Sequence, residues 1–346
     1  MLKDFNISGG KDMKIAVIGA TGLVGQKMLQ VLAERNLPFD ELIVAASERS
    51  IGKKTLFKGK EYTLISVEEA IEKRPDIAIF SAGADASLKY APLFAEKGTY
   101  VVDNSSAWRK KAGIPLVVPE INASDITKDT HIIANPNCST IQLVMALAPL
   151  HRRYGIKRIV VSTYQSVSGS GIKGLNQLHL EQQGKKSDNP AYPHQIHENI
   201  IPHGGNFLED GNTTEEDKLI FETNKIMHSN IAVSATVARV PVYGGHSESV
   251  NVEFLQPYDL QEIRNILENT PGVIVADDPR KNLYPTPIMA YDRDEVFVGR
   301  MRRDNSIENG FNFWVVSDNI RKGAATNAVE IAEYLQSIFR PKESVL

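Results

Sequence analysis

The first hydrophobic signal in the chain is a short β-branched run, Lys14–Gly19, which closes on glycine and predicts a buried strand. Directly behind it, Leu23, Val24, Met28, Leu29 and Leu32 recur at helical spacing and predict a helix over Gly22–Arg35. A second strand is predicted at Glu41–Ala46. Two more, Asp76–Phe80 and Thr99–Asp103, flank a helical stretch near Asp85–Glu96. Strands alternating with helices imply a parallel sheet with right-handed crossovers. The first half is therefore read as α/β, a Rossmann-like doubly wound parallel sheet, whose ligands bind at the carboxyl ends of the strands.

The pattern changes after Cys138–Leu150, an apolar helical stretch. Lys157–Val167 reads as a long strand. Ile231–Val240 and Ser247–Leu255 follow, joined by a glycine-containing loop, and Glu295–Met301 and Phe311–Ser317 pair around a turn at Asp304–Gly310. Many strands with few intervening helices predict an α+β domain with a mixed or antiparallel sheet. Asn319–Phe339 returns to helical spacing. The predicted division is a dinucleotide-binding domain over 1–137, completed by 319–346, and a catalytic and oligomerisation domain over 138–318.

Composition narrows the class. Of 346 residues, 42% are hydrophobic and 23% charged, a globular balance that excludes chain-wide disorder. The 39 Lys+Arg nearly cancel the 42 Asp+Glu, leaving −3, so no basic field advertises nucleic acid or a membrane surface. No apolar run reaches the roughly 18–20 residues of a membrane helix. A single cysteine, Cys138, excludes an intrachain disulfide and suits a reducing compartment. Met1–Asp12 lacks the apolar core of a secretory signal and reads as a frayed terminus, with an upstream extension or tag-like arm as the alternative. The expectation is a cytoplasmic protein.

The turn Gly19-Ala20-Thr21-Gly22-Leu23-Val24-Gly25 joins the first strand to the first helix. Glycines there allow a tight turn and bring backbone amides to a pyrophosphate at the positive helix end. The spacing is GxxGxxG, so placement behind strand one carries the argument more than the motif does. Which dinucleotide binds depends on the end of the second strand. Ser47, Arg49 and Ser50 suit the 2′-phosphate of NADP, which is the favoured cofactor. Glu48 beside them suits the free hydroxyl of NAD.

Pro136 disfavours helix just before Cys138, so the helix is expected to start at the cysteine. A thiol there feels the macrodipole, which lowers its pKa. The alternative is a small core hydrophobe. Gln165 ends a strand and leads into the flexible Ser168-Gly169 loop. Arg239 is a charge among apolar strand neighbours and needs an anionic partner, structural or bound. Seven residues on, His246 sits in a glycine-softened loop where acid–base work is chemically reasonable.

Together these motifs are similar to the aspartate-semialdehyde dehydrogenase family. Gly19–Gly25, Ser47–Ser50, Asn104-Ser105-Ser106-Ala107-Trp108-Arg109, Asn135–Thr140, Gln165 with Ser168-Gly169, Glu215–Lys218 and Arg239 through His246 occur in the family's order, from about Lys14 to Phe339. The resemblance implies reduction of L-aspartyl-4-phosphate by NADPH to L-aspartate 4-semialdehyde and inorganic phosphate. That step feeds lysine, threonine, methionine and diaminopimelate biosynthesis. It implies Cys138 as the nucleophile forming an acyl-thioester, His246 as acid/base and Gln165 as the residue orienting the substrate. Arg239 would clamp the substrate carboxylate and Glu215 its amino group. Arg109 and Lys218, with Asn104 nearby, would hold phosphate. Gly19, Thr21, Gly22, Leu23, Val24, Gly25, Ser47, Arg49, Ser50, Ser168, Gly169 and Asn319 would contact the cofactor. No metal is implied, and the partner expected is a second copy of the chain, as a homodimer or homotetramer. Trp108 stands where the family more often has Phe, and Asp217 and Tyr243-Gly244-Gly245 vary local contacts; none removes a catalytic group.

Rival readings are N-acetylglutamyl-phosphate reductase, disfavoured by Asn135-Pro136-Asn137-Cys138-Ser139-Thr140, and malonyl-CoA reductase, which is harder to separate. A non-catalytic sensor of NADP is disfavoured by the presence together of Cys138, Gln165, Arg239 and His246.

Overall fold

The computed structural model describes residues 13–339. The Met1–Asp12 arm and the end of the 319–346 segment lie outside the described residues. In chain order, the first part runs β1 (Lys14–Ile18), α1 (Leu23–Arg35), β2 (Glu41–Ala45), β3 (Lys54–Phe57), β4 (Lys60–Thr63), α2 (Val67–Glu72), β5 (Ile77–Phe80), α3 (Ala84–Glu96), β6 (Tyr100–Asp103), α4 (Pro119–Asn122) and β7 (Ile132–Ala134). Its sheet has the order β2-β1-β5-β6-β7 and every pairing in it is parallel. From β1 the chain steps to β2 on one side and later to β5 on the other. The order therefore reverses at β1, and the crevice at its carboxyl end is where α1 begins. The β3–β4 hairpin was not expected; Gly59, at φ +76°, makes its turn.

The second part runs α5 (Cys138–Tyr154), β8 (Ile156–Gln165), α6 (Gly171–Gln182), α7 (Thr214–Ile226), β9 (Ala232–Arg239), β10 (His246–Phe254), α8 (Leu260–Glu268), β11 (Val273–Val275), α9 (Pro287–Ala290), β12 (Val296–Asp304), β13 (Gly310–Ser317) and α10 (Thr326–Phe339). Its six-stranded sheet, β11-β12-β13-β10-β8-β9, is mixed. β8 pairs in parallel with β9 and antiparallel with β10, so the two strands consecutive in sequence flank β8 and do not pair with each other. β12 and β13 form the expected antiparallel pair.

Helix α5 joins the two parts. From Ser139 to Ala148 it is buried throughout. Its Ile141, Val144 and Leu147 share one apolar cluster with Ala16 and Phe80 of the first sheet and Val161 and Val250 of the second. Each such side chain contributes about 1.5–3 kcal/mol when fully buried, so α5 is held firmly from both sides. α10 packs beside α1: Val329, Ile331 and Leu335 lie in one cluster with Met28, Leu32 and Val17. The helical pattern read from Asn319 opens instead with a π-helical turn, Arg321–Ala325, before the α-helix starts at Thr326. Among the described residues no helix is long and apolar enough to cross a membrane.

Candidate active site

The carboxyl ends of both sheets face one cleft of about 330 Å³. Cys138 opens α5 at its floor. Asn137 caps the helix, its side chain accepting from the Ser139 amide at 3.0 Å. Pro136 and the cap together start the helix at the thiol, as the sequence predicts. Cys138 is partly open to the cleft.

The predicted drop in its pKa is not what the structure shows. Burial, reinforced by the Glu215 carboxylate, pushes the thiol up to about 11; Arg239 and Arg109 pull the other way and do not prevail. His246 is likewise held well below the ordinary imidazole range, first by burial and then by Arg239. Burial thus favours the neutral forms of both the thiol and the imidazole, against the pull of the helix dipole on the thiol.

Strand ends and loops bring the other polar groups in. Arg239 ends β9, buried, and donates to the Ser166 carbonyl at 3.3 Å. It makes no ion pair with a carboxylate among the described residues. Its neighbour Gly169 approaches so closely that a Cβ there would stand 2.5 Å from Nη1 of Arg239 and 3.2 Å from Nε2 of His246. A side chain at 169 would displace the Arg239 guanidinium and press on the His246 ring.

His246 opens β10. Its Nδ1 accepts from the Ser166 amide at 3.0 Å, so the neutral ring carries its proton on Nε2, which has no partner. Gln165 is buried beside the helix start and donates to Ser139 Oγ at 2.8 Å; neither Gln165 nor His246 is among the side chains facing the cleft itself. Asn319 ties the loop down, accepting from Ser166 Oγ at 2.9 Å and from the Gly245 amide at 3.1 Å. Ser168 donates to the same oxygen at 3.2 Å.

Helix α7 supplies the acidic wall. Its capping box, Thr213 with Glu216, fixes the start, and Glu215, Lys218 and Glu222 then fall on one face at spacings of three and four. Lys218 pairs with Glu215, whose other oxygen accepts from Asn137 Nδ2 at 3.0 Å. Arg109 is buried and donates to Glu222 at 3.2 Å, to the Asn135 carbonyl at 2.9 Å and to the Asn104 carbonyl at 3.0 Å. A guanidinium has five N–H donors, so two remain for a ligand. Asn104 accepts from Asn135 Nδ2 at 2.7 Å.

Sequence reasoning missed Glu222, whose Oε2 also accepts from the Asn137 amide at 2.7 Å. Its place seven residues after Glu215, on the same helix face, was the available signal. It also missed Gly323 and Ser106, which line the cleft.

At the head of α1 the glycines are required by contact. Gly19 has φ +85°, and a Cβ on it would stand 2.3 Å from the Ser81 carbonyl oxygen. A Cβ on Gly25 would stand 2.2 Å from the Gly19 oxygen. Gly22 is the N-cap and no side chain caps the helix, so its first amides are free for an anion. Leu23 and Val24 follow in that first turn, and Val24 reaches the same cleft as Cys138. Thr21 is exposed at the turn, and Ser47 and Arg49 are exposed just beyond β2, with Ser50 closing a 3-10 turn there. These residues form a cradle that fits a dinucleotide running from the end of β2 to Cys138.

Two family models match the chain. Residues 14–129 match the semialdehyde dehydrogenase NAD binding domain, and residues 147–322 match the semialdehyde dehydrogenase dimerisation domain. An aspartate-semialdehyde dehydrogenase of Aquifex aeolicus is 55% identical over 331 residues, covering 93% of this chain and 97% of the relative. The chain belongs to the aspartate-semialdehyde dehydrogenase family.

Membership makes it an oxidoreductase of amino-acid biosynthesis with a dinucleotide-binding Rossmann domain. The fold agrees. Aspartate-semialdehyde dehydrogenase II of Vibrio cholerae, solved in complex with ASA, superposes with a TM-score of 0.90 at 45% identity, covering 94% of this chain and 98% of that one. The enzyme of Candida albicans, solved with NADP, superposes with a TM-score of 0.75 at 28% identity, covering 94% and 99%.

Proposed function

We propose that this chain catalyses the reversible NADP-dependent reductive dephosphorylation of L-aspartyl-4-phosphate to L-aspartate 4-semialdehyde, through a thioester on Cys138. The observation that carries the reading is Arg239, a buried guanidinium that makes no ion pair among the described residues, in the same site as a cysteine at a helix start. A planar guanidinium suits a bidentate bond to the substrate α-carboxylate. Glu215, on the helix packed beside β9, then meets the α-amino group, and the two contacts place C4 over the sulfur. Arg109 and Lys218 neutralise the departing phosphate, beside Asn104.

In the biosynthetic direction Cys138 Sγ bonds to C4, the C4–O bond to phosphate breaks, and the thiol proton passes to the departing phosphate. NADP(H), when bound, supplies the hydride chemistry of the second half. The Ser166 amide holds His246 Nδ1 as an acceptor, so Nε2–H donates to the acyl oxygen while negative charge builds there. This is a narrower duty than full acid–base exchange and follows from the neutral resting ring. Collapse of that oxygen breaks the C–S bond, releases the aldehyde, and leaves a thiolate that takes a proton from water. Gln165 orients substrate and acts through Ser139 at the head of α5.

The cofactor cradle at Gly19–Gly25, the Ser47–Ser50 turn and the Ser168-Gly169 loop with Asn319 support NADP, as does the NADP found in the Candida albicans relative. The same reading divides the chain at 137/138, with 319–346 returning to the first part, and has two copies associate through the second part, consistent with the dimerisation-domain match over 147–322.

The deciding experiment is reduction of NADP by purified protein given L-aspartate semialdehyde, with phosphate present or omitted. Phosphate-dependent reduction is expected, and Cys138→Ser abolishes it while still binding NADP. Reduction that ignores phosphate, or turnover by Cys138→Ser, overturns the reading.

A further inference from the structure

Behind Cys138 lies a second group of buried polar side chains that the chemistry above does not use. Glu248 stands on β10 two residues after His246, on the same face of the strand. It is fully buried, and among the described residues neither carboxyl oxygen has a well-formed hydrogen bond. Directly opposite on β8 is Thr163, whose buried hydroxyl is also unpaired. From the helix side comes Gln142, one turn beyond Cys138 on α5, fully buried, its two amide atoms likewise without a well-formed bond among the described residues. Its amide stands beside the Glu248 carboxyl.

Each buried polar group left unpaired costs about 1–3 kcal/mol, so five such atoms in one box demand a pairing among themselves. An ionised Glu248 only accepts, from the Gln142 N–H and the Thr163 O–H, which leaves the Gln142 carbonyl oxygen unpaired against a buried charge; no cation meets either carboxyl oxygen among the described residues. Burial pushes its carboxyl well above the usual carboxylate range. A protonated carboxyl has one donor and one acceptor, the complement of an amide's acceptor and donor. Two bonds, O–H to the Gln142 oxygen and Gln142 N–H to the carboxyl oxygen, satisfy all four atoms. The Thr163 hydroxyl donates to a remaining lone pair.

We propose that Glu248 is a positioning residue for Cys138, acting through a reciprocal carboxylic acid–amide pair with Gln142. The pair fixes the first turn of α5 against the strand that carries His246. Other contacts hold that turn from the cleft side and flank: the Asn137 cap, Gln165 on Ser139 Oγ, and Gly323 against Cys138. Glu248 and Gln142 hold it from beneath. The proton on Glu248 is not consumed, and the residue touches no reacting atom.

The inference rests on Cys138 as nucleophile and is tested on the full-length enzyme. Glu248→Gln keeps a donor and an acceptor, so kcat stays within about threefold of the parent; Glu248→Leu, which keeps the volume but not the bonds, lowers kcat about tenfold or more with KM little changed. Difference infrared spectra at neutral pH show a protonated-carboxyl band in the parent that is missing from Glu248→Gln. Should Glu248→Leu fail to fold, Gln142→Leu reads the same loss from the other partner. The double variant Glu248→Leu/Gln142→Leu is expected to melt closer to the parent than either single variant, yet to stay slow. Parental kcat in Glu248→Leu or in the double variant overturns the inference, as does a missing carboxyl band. Turnover by Cys138→Ser would instead remove the nucleophile itself, so the two failures are distinct.

Discussion

Gly323 lies against Cys138: a Cβ built on the glycine would stand 2.9 Å from the Cys138 Cβ and 3.3 Å from its Cα. Gly323 belongs to the π-helical turn Arg321–Ala325, and both residues before it are buried cations. Arg321 pairs with Asp294 at 2.8 Å and Asp292 at 3.0 Å, and reaches Glu34 on α1. Lys322 bridges Glu120 and Glu330. The wall behind the thiol is thus pinned to α1, α4, α10 and the 292–294 segment at once, and has little freedom to yield.

Gly323→Ala therefore forces Cys138 out of place. Overpacking of this kind costs about 1–3 kcal/mol of stability, while misplacing a reacting atom by about 1 Å costs on the order of 100-fold in rate. The expected variant folds, melts a few degrees lower and loses most of its kcat. Parental kcat would show that the turn gives way freely.

Glu215 raises the Cys138 thiol, and its removal also frees the Lys218 ammonium beside it. Both changes favour the thiolate. Glu215→Gln should shift the pH profile of Cys138 alkylation by iodoacetamide towards neutrality relative to the parent. An unmoved profile, or one moved upward, would discard this electrostatic account. The folded thiol keeps its proton above the ordinary value of 9.0, so its stabilising contribution is full below that pH and lost as pH rises towards about 11.

Arg239→Lys replaces a planar fork by a point charge. The variant should lose about 2–4 kcal/mol of transition-state stabilisation, read as kcat/KM for the semialdehyde, with the Kd for NADP little altered. Equal kcat/KM in the two proteins would remove Arg239 from the carboxylate site.

Arg49→Ala should weaken NADP by about 1–3 kcal/mol and leave NAD nearly unaffected, because only NADP brings a phosphate to the turn after β2. Titration calorimetry with both dinucleotides decides it. Equal losses would assign the discrimination elsewhere, with Glu48 the next residue to change.

The readable parts of the chain were those whose signal is local. The glycines at 19, 22 and 25, the alternation of strand and helix, and the Pro136-Asn137-Cys138 start of α5 are each set by backbone sterics or by capping within a few residues. The family motifs carried the rest of the site's membership. Helices α6 and α8 and the β3–β4 hairpin were not anticipated. α7 was not either, because its run of Glu, Asp and Lys hides the buried Leu219 and Ile226 that anchor it. The strands consecutive at Ile231–Leu255 gave no hint that β8 separates them, since strand order is a long-range choice.

Sequence alone therefore determined the alternating elements of the first part, the long strands of the second and the chemical inventory: a dinucleotide turn, a thiol at a helix start, an arginine among apolar neighbours, a histidine in a glycine loop. Tertiary structure decided their states. The helix dipole argued for an acidic thiol, but burial and Glu215 outweigh it. Lys218 and Glu215 hold each other, Arg109 is half committed to Glu222, and Glu248 turns inward beneath the nucleophile. Charge and desolvation depend on what lies within a few ångströms, and in this site most of those neighbours, Glu222 on Arg109 and Arg239 near Cys138 among them, come from segments far apart in sequence.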